Sequence, residues 1–214
     1  MIGSSVPGNA TATEVAVPGA PPSDLGAASS PAAPALVALR RAAPADANLM
    51  LAWRAEPSTR RYQPLRPLTA ADLRARLAEQ AGRVVDARLV GDVKWIVVAA
   101  TGEPVGWISL RDVNREHQLG AVGYTIGERF RGRGFATAAV RALLPFAFDA
   151  ADLARVEAIA AVANTASRRV LERAGFRCEG IARALLAIDG VRVDHARYAL
   201  LRSDWRDAST GKHP

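Results

Sequence analysis

Arg131-Gly132-Arg133-Gly134-Phe135-Ala136 brings two arginines and two glycines together within six positions. Glycines let successive backbone N–H groups turn toward one point and form an anion-binding nest. Arg131 and Arg133 add positive charge. The chemistry this predicts is the holding of a pyrophosphate. Such a nest needs elements to present it. Ahead of it, Val122, Tyr124 and Ile126 are β-type residues with glycines among them. Behind it, Phe135–Phe148 is rich in Ala and Leu and favours helix. The nest is therefore predicted at a strand-to-helix turn, where the helix adds unpaired N–H groups and the positive end of its dipole.

Two familiar phosphate motifs do not fit. A P-loop requires Gly-x-x-x-x-Gly-Lys-Ser/Thr, and no such run occurs. A dinucleotide fingerprint requires a third glycine where Thr137 stands. The spacing Arg131-x-x-Gly134-x-Ala136 instead resembles the acyl-CoA loop of the GNAT N-acetyltransferases. Downstream, Asn164-Thr-Ala-Ser167-Arg-Arg-Val-Leu171-Glu-Arg-Ala-Gly175-Phe176 is similar to a second segment of that family. The run from Cys178 to Leu201 resembles the closing hairpin of its ribosomal-protein-alanine (RimJ/RimL-like) branch. The resemblance covers roughly residues 36–205 and is strongest from Trp95 onward. It implies acetyl-CoA as acyl donor, no metal, and contacts to the donor from Ile126, Arg131, Gly132, Arg133, Gly134, Phe135, Ala136, Thr137 and Asn164.

Acyl transfer to an amine needs a held thioester, a neutral amine, donors for the developing oxyanion and a proton for the departing thiolate. By analogy with the family, a backbone N–H near Ile126 meets the oxyanion. The tyrosine that many members place seven residues after the Asn is Leu171 here, so the resemblance shifts the role of general acid to Ser167. Two positions that often carry a glutamate base are Ala121 and Ala138. Glu116, His117, Asp194 and His195 remain as bases, or a bound water. An α-amine with pKa near about 7.8 is neutral roughly a third of the time at pH 7.4, whereas a lysine-like amine near about 10.4 is so only about once in a thousand. The lack of an obvious carboxylate base therefore leans toward a weakly basic acceptor.

The function implied is transfer of an acetyl group from acetyl-CoA directly to a primary amine, either a protein N-terminus or a small molecule. The alternative is a GNAT-fold sensor or scaffold that binds acyl-CoA without transferring it. In this fold the acceptor loops are expected in regions 55–69 and 112–120. Self-association into a homodimer stays open.

The 214 residues carry a net charge of +7 and half of them are hydrophobic, which fits one globular domain with a tail. Residues 1–34 are mostly Ala, Pro, Gly, Ser and Thr, with Glu14 and Asp24 as their only charges. They are expected to be a disordered tail, followed by the catalytic domain at 35–207 and a flexible end at 208–214. The N-terminal stretch lacks the basic start and apolar run of a signal peptide. No apolar run is long enough for a membrane span. Cys178 is the single cysteine, so no disulfide forms within the chain, which suits a cytoplasmic setting. The histidines are too dispersed for a metal cluster. The arginines form no long basic run interleaved with aromatics, which argues against nucleic acid as a partner.

Strands are expected at 36–41, 95–100, 105–110, 121–126, 156–162, 176–188 and 191–201, with Asp189-Gly190 as a hairpin turn. Helices are expected at 43–55, 70–81 behind a Thr69 cap, 135–150 with Pro145 loosening one turn, and 164–174. This predicts an α/β (α+β) fold with a mixed, mostly antiparallel sheet and flanking helices. The resemblance further implies that the central parallel strands splay apart.

Overall fold

The computed structural model describes residues 36–64 and 66–210. The expected tail at 1–34 lies outside them. Seven strands form one sheet: β1 Val37–Arg41, β2 Gly91–Ala99, β3 Pro104–Asn114, β4 Leu119–Ile126, β5 Arg155–Ala161, β6 Arg177–Ile188 and β7 Val191–Leu201. Their order is β1-β2-β3-β4-β5-β7-β6. Every neighbouring pair is antiparallel except β4 and β5.

Alternation along β2 shows how the two faces are covered. Val93, Trp95 and Val97 join a core with Val140, Leu143 and Phe148 of the segment after the glycine loop. Ile96 points the other way, into a cluster with Met50, Trp53, Leu73 and Leu77. These come from α1 Ala47–Ala55 and α3 Ala70–Ala81. Side-chain period 2 thus distributes one strand between two helical layers.

Local chemistry sets the element ends. Thr69 accepts from the Asp72 amide at 3.1 Å, and Asp72 accepts from the Thr69 amide at 3.1 Å, a reciprocal capping box. The helix α4 Phe135–Pro145 loosens into a π-turn over Phe146–Ala150, with Ala151 N–H donating to the Phe146 carbonyl at 2.9 Å. Pro145 has no N–H for the regular ladder, which explains where the wider turn begins. The helix α5 Thr165–Arg173 ends at Gly175 (φ 98°), where Phe176 N–H bonds to Leu171 and Gly175 N–H to Glu172. That pair of bonds is a Schellman motif. Asp189 and Gly190 both have positive φ, as a type I′ hairpin turn requires.

Three features depart from the expected elements. Residues 44–46 form a 3-10 turn before α1, because Asp46 is drawn back to the Ala43 amide (2.7 Å) and to Arg40 (2.8 Å). A short helix, α2 Pro57–Arg60, occupies part of the expected loop. A last helix, α6 Arg202–Thr210, follows β7. Its Trp205 ring sits 5.2 Å from that of Phe148. Residues 208–210 of the expected flexible end thus belong to a helix, and 211–214 lie outside the described residues.

Candidate functional site

The site begins at a gap in the sheet. The parallel pairing of β4 with β5 runs only through Leu119, Gly120 and Ala121, opposite Arg155, Val156 and Glu157. Beyond Ala121 the two strands diverge, as the resemblance implies. Gly127 N–H bonds to Val105 on β3 at 3.0 Å. Antiparallel alternation then turns the backbone groups of Val122, Tyr124 and Ile126 away from β3 and into the gap. The Ile126 carbonyl is taken by Arg131 Nε at 2.8 Å. The gap thus presents an open strand edge, which an extended ligand can pair with.

The glycine loop follows directly. Gly127 is pressed against α1, since a Cβ there would meet Trp53 Nε1 at 2.6 Å. Phe130 is buried and anchors the loop, with its ring edge-on to Phe135 at 6.5 Å. Gly132 (φ 74°) and Gly134 (φ 82°) are left-handed, and Gly134 is the N-cap of α4. Among the described residues, the amides of Gly132, Arg133 and Gly134 make no backbone hydrogen bond. With the first-turn amides of Phe135, Ala136 and Thr137, they form a set of free donors at a helix N-terminus, suited to a diphosphate.

The two arginines of the loop differ. Arg133 is exposed and stacks over Phe135 at 5.5 Å. Arg131 is committed to the protein. Besides Ile126, its guanidinium donates to Ser58 Oγ and to Thr59 Oγ1 at 3.0 Å, and it approaches Glu56 at 3.4 Å. Glu128 completes the clamp by accepting from the Ser58 amide at 3.0 Å, while its own amide donates to Glu56 at 3.0 Å. In this arrangement Arg131 fastens the loop to α2, and the sequence carries no signal of that contact.

Two cavities meet at the gap. One, of about 260 Å³, is bordered by Ile126, Gly132, Phe135 and Ala136 of the loop side. The other, of about 310 Å³, is bordered by Lys94, Trp107, Arg111 and His195. Tyr62, Gln63, Tyr124, Asn164 and Ser167 border both. Asn164 Oδ1 accepts from the Ser167 amide at 3.1 Å, so Asn164 caps α5 and fixes Ser167 in its first turn. The Tyr124 hydroxyl lies 2.9 Å from Ser167 Oγ and 3.2 Å from the Ser167 carbonyl. Burial pushes the Tyr124 phenol up to about 12, against a smaller opposite effect of the Ser167 bond. It is protonated at neutral pH.

Tyr124 is the residue at the meeting of the two cavities that sequence reasoning missed. It reads as one more β-type residue between Gly123 and Thr125. The available signal was its being the one phenol in a strand otherwise free of acidic protons. Of the expected bases, Glu116 and His117 are exposed and precede β4, at the end where the strands are paired. They are removed from the gap by the length of β4. Among the described residues, none of 112–120 borders either cavity, so the structure does not bring that expected acceptor loop to them. The 55–69 region does reach the site, through Tyr62, Gln63 and Pro64. Asp194 is exposed, and its carboxylate holds the Ala184 amide at 2.7 Å. His195 alone of the four borders the cavity, buried to 2% exposure, with Nδ1 3.0 Å from the Val193 carbonyl. A carbonyl only accepts, so Nδ1 carries the proton and Nε2 is left for other work.

A family model described as an acetyltransferase (GNAT) domain matches residues 37–177. The Bacillus subtilis protein YdaF is 41% identical over 104 residues, which span 49% of this chain and 57% of that one. The Escherichia coli [ribosomal protein uS5]-alanine N-acetyltransferase is 34% identical over 84 residues, 39% of this chain and 43% of that one. The similarity thus spans about half the length of these relatives. Among solved structures, Mycobacterium smegmatis RimJ in complex with CoA-disulfide is 25% identical with a TM-score of 0.70, covering 83% of this chain and 90% of that one. No helix of the described residues is long and apolar enough to cross a membrane, and none of their acidic, His and Cys side chains cluster as a metal site.

Proposed function

The chain belongs to the GNAT acetyltransferase family, and from that premise we propose that it transfers the acetyl group of acetyl-CoA directly to a primary amine, by preference an α-amine. The observation that carries this reading is the junction of the two cavities at Tyr124 and Ser167, beside the open edge of β4. The donor enters from the loop side. The free amides of residues 132–137 take its pyrophosphate, and the edge of β4 pairs with its extended arm. The amine enters from the side of His195. Two substrates that meet without a covalent enzyme intermediate need two mouths and one junction, and this arrangement supplies them.

The residues divide the proton work. His195 Nε2, or a water it holds, takes the proton from the incoming amine. The amine nitrogen bonds to the acetyl carbon, and the oxyanion that develops meets the Ile126 amide. The carbon–sulfur bond then breaks. The leaving thiolate is protonated by Ser167 Oγ, which Tyr124 refills across 2.9 Å. Tyr124 holds its proton at neutral pH, and after each turnover the proton taken from the amine returns to it from His195 by way of solvent in the open cavities. The single exposed thiol, Cys178, agrees with a reaction in the reducing cytoplasm.

The deciding experiment is detection of thiol release from acetyl-CoA with a panel of amines. Amine-dependent release with formation of the N-acetyl product is expected. A protein that binds CoA yet releases no thiol with any amine would be a sensor or scaffold instead.

A further inference from the structure

The acceptor cavity continues outward into a broad groove of about 860 Å³, and the two share Arg54, Pro64 and Leu186. The charge along this route is one-sided. Lys94, Arg111 and Arg54 border the cavity, and Arg66, Arg76 and Arg192 border the groove. No carboxylate borders the cavity among the described residues, and Asp189 alone borders the groove. These cations come from six separate elements or loops, so no basic run announces them in the sequence.

Their partners leave much of the charge uncompensated. Arg54 donates to the Arg66 carbonyl at 2.9 Å, and Arg192 to the Ala184 carbonyl at 3.4 Å. Neither carbonyl carries a charge. Lys94 has Asp92 at 3.7 Å and Arg111 has Asp112 at 3.3 Å, the latter carboxylate largely in solvent. The carboxylates nearest in sequence to Arg76 are Glu79, which pairs with Arg83 at 2.8 Å, and Asp72, which the Thr69 cap occupies. The cations also act on one another. Burial first, and then the charge of Arg76, lowers the pKa of Arg54. Lys94 is lowered by burial, opposed by Asp92, and lowered further by Arg76 and Arg111. Like charges held this close are relieved by a ligand of opposite sign.

We propose that the acceptor is the N-terminal α-amine of a peptide segment whose following residues carry carboxylates, which the groove from Arg111 and Lys94 out to Arg76 and Arg192 reads. The inference rests on the assignment of this cavity to the amine in the function proposed above. A peptide fits better than a free amino acid because the cations extend through both spaces, beyond the reach of one α-carboxylate. A polyamine would add positive charge to a positive groove. The same field favours catalysis, since nearby cations disfavour the ammonium form and lower the pKa of the incoming amine. That compensates for the alanines at the two positions where a carboxylate base was sought.

The test uses the full-length protein, acetyl-CoA and thiol-release detection. The acceptors are Ala-Glu-Asp-Glu, Ala-Gln-Asn-Gln and Ala-Lys-Arg-Lys peptides, with free alanine and spermidine alongside. The acidic peptide is expected to exceed the neutral one at least about tenfold in kcat/KM, the lower end of what electrostatic steering achieves. The basic peptide is expected to be the poorest, and added KCl should shrink the spread. Arg76→Glu combined with Arg192→Glu, at two exposed positions, should raise KM for the acidic peptide and lower it for the basic one, with CoA affinity and the unfolding temperature nearly unchanged. Equal rates for the three peptides, or faster turnover of alanine or spermidine than of the acidic peptide, would overturn this proposal and leave the transferase reading intact. Absence of turnover with every amine, in protein shown to bind CoA, would overturn both.

Discussion

The two sides of the junction are built from different materials. The proposed donor side is mostly backbone: free amides at 132–137, the edge of β4 and the start of α4. The proposed acceptor side is mostly side chains: Arg54 from α1, Lys94 from β2, Arg111 from β3 and His195 from β7. A backbone site needs a local conformation, so a few consecutive residues specify it. A side-chain site needs distant residues brought to one place, so it appears only when the sheet is assembled. The comparison also suggests a division of tolerance. The donor side should fail through conformation and the acceptor side through charge.

The largest expected effect tests the backbone half. Gly134→Val puts a β-branched residue at φ 82° and misdirects the nest. Loss of two charge-assisted bonds, at roughly 1.5–3 kcal/mol each, corresponds to about a 10²- to 10⁴-fold weaker affinity for CoA. Calorimetry on the folded variant would read it, and an unchanged affinity would mean that the loop does not hold the diphosphate.

The junction comes next. Tyr124→Phe should lower kcat by roughly 10- to 1,000-fold with acetyl-CoA affinity retained, the range of a positioned acid. Ser167→Ala should do the same, and the double variant should cost little more than either, because the two hydroxyls act as one unit across 2.9 Å. Additive losses would separate them. A loss of CoA affinity instead of kcat would move Ser167 to the donor side of the comparison.

A smaller effect follows from the buried phenol. The folded-state pKa of Tyr124 is raised from 10 to about 12. A raised pKa contributes stability that is fully present below the unfolded value and is lost as pH climbs through the folded value. Stability should therefore fall by about 1 kcal/mol more in the parent than in Tyr124→Phe between pH 9 and 11. Urea unfolding at the two pH values measures it, and parallel declines in the two proteins would count against a buried, protonated Tyr124.

The smallest effect on the reaction belongs to the proposed acceptor half. Thr69→Ala removes the capping box of α3, the helix that carries Arg76. About 0.5–2 kcal/mol of stability should be lost. KM for the acceptor should rise modestly, and CoA affinity should hold. If CoA affinity weakens as much as acceptor binding, the two halves are coupled more closely than their materials imply.

Much of this protein was legible residue by residue. The Thr69–Asp72 box, the Asp189-Gly190 turn, the Gly175 stop and the loosening at Pro145 each depend on one or two residues and their own backbone. The helix α6 was not legible, because Trp205 is the one large apolar residue in it and one anchor shows no period. The alternating strands and the glycine loop followed from short-range rules, and with them the residues of the proposed donor side. Tertiary structure alone decided the rest. It tied Arg131 to α2 while leaving it on the border of the loop-side cavity. It set Tyr124 against Ser167 across 43 positions, carried Glu116 and His117 to the far end of β4, and left His195 on the border of one cavity. The physical reason is the same in each case. Conformational preference acts over a few residues and is written locally, whereas proton transfer and charge recognition act through space, where distance along the chain carries no information.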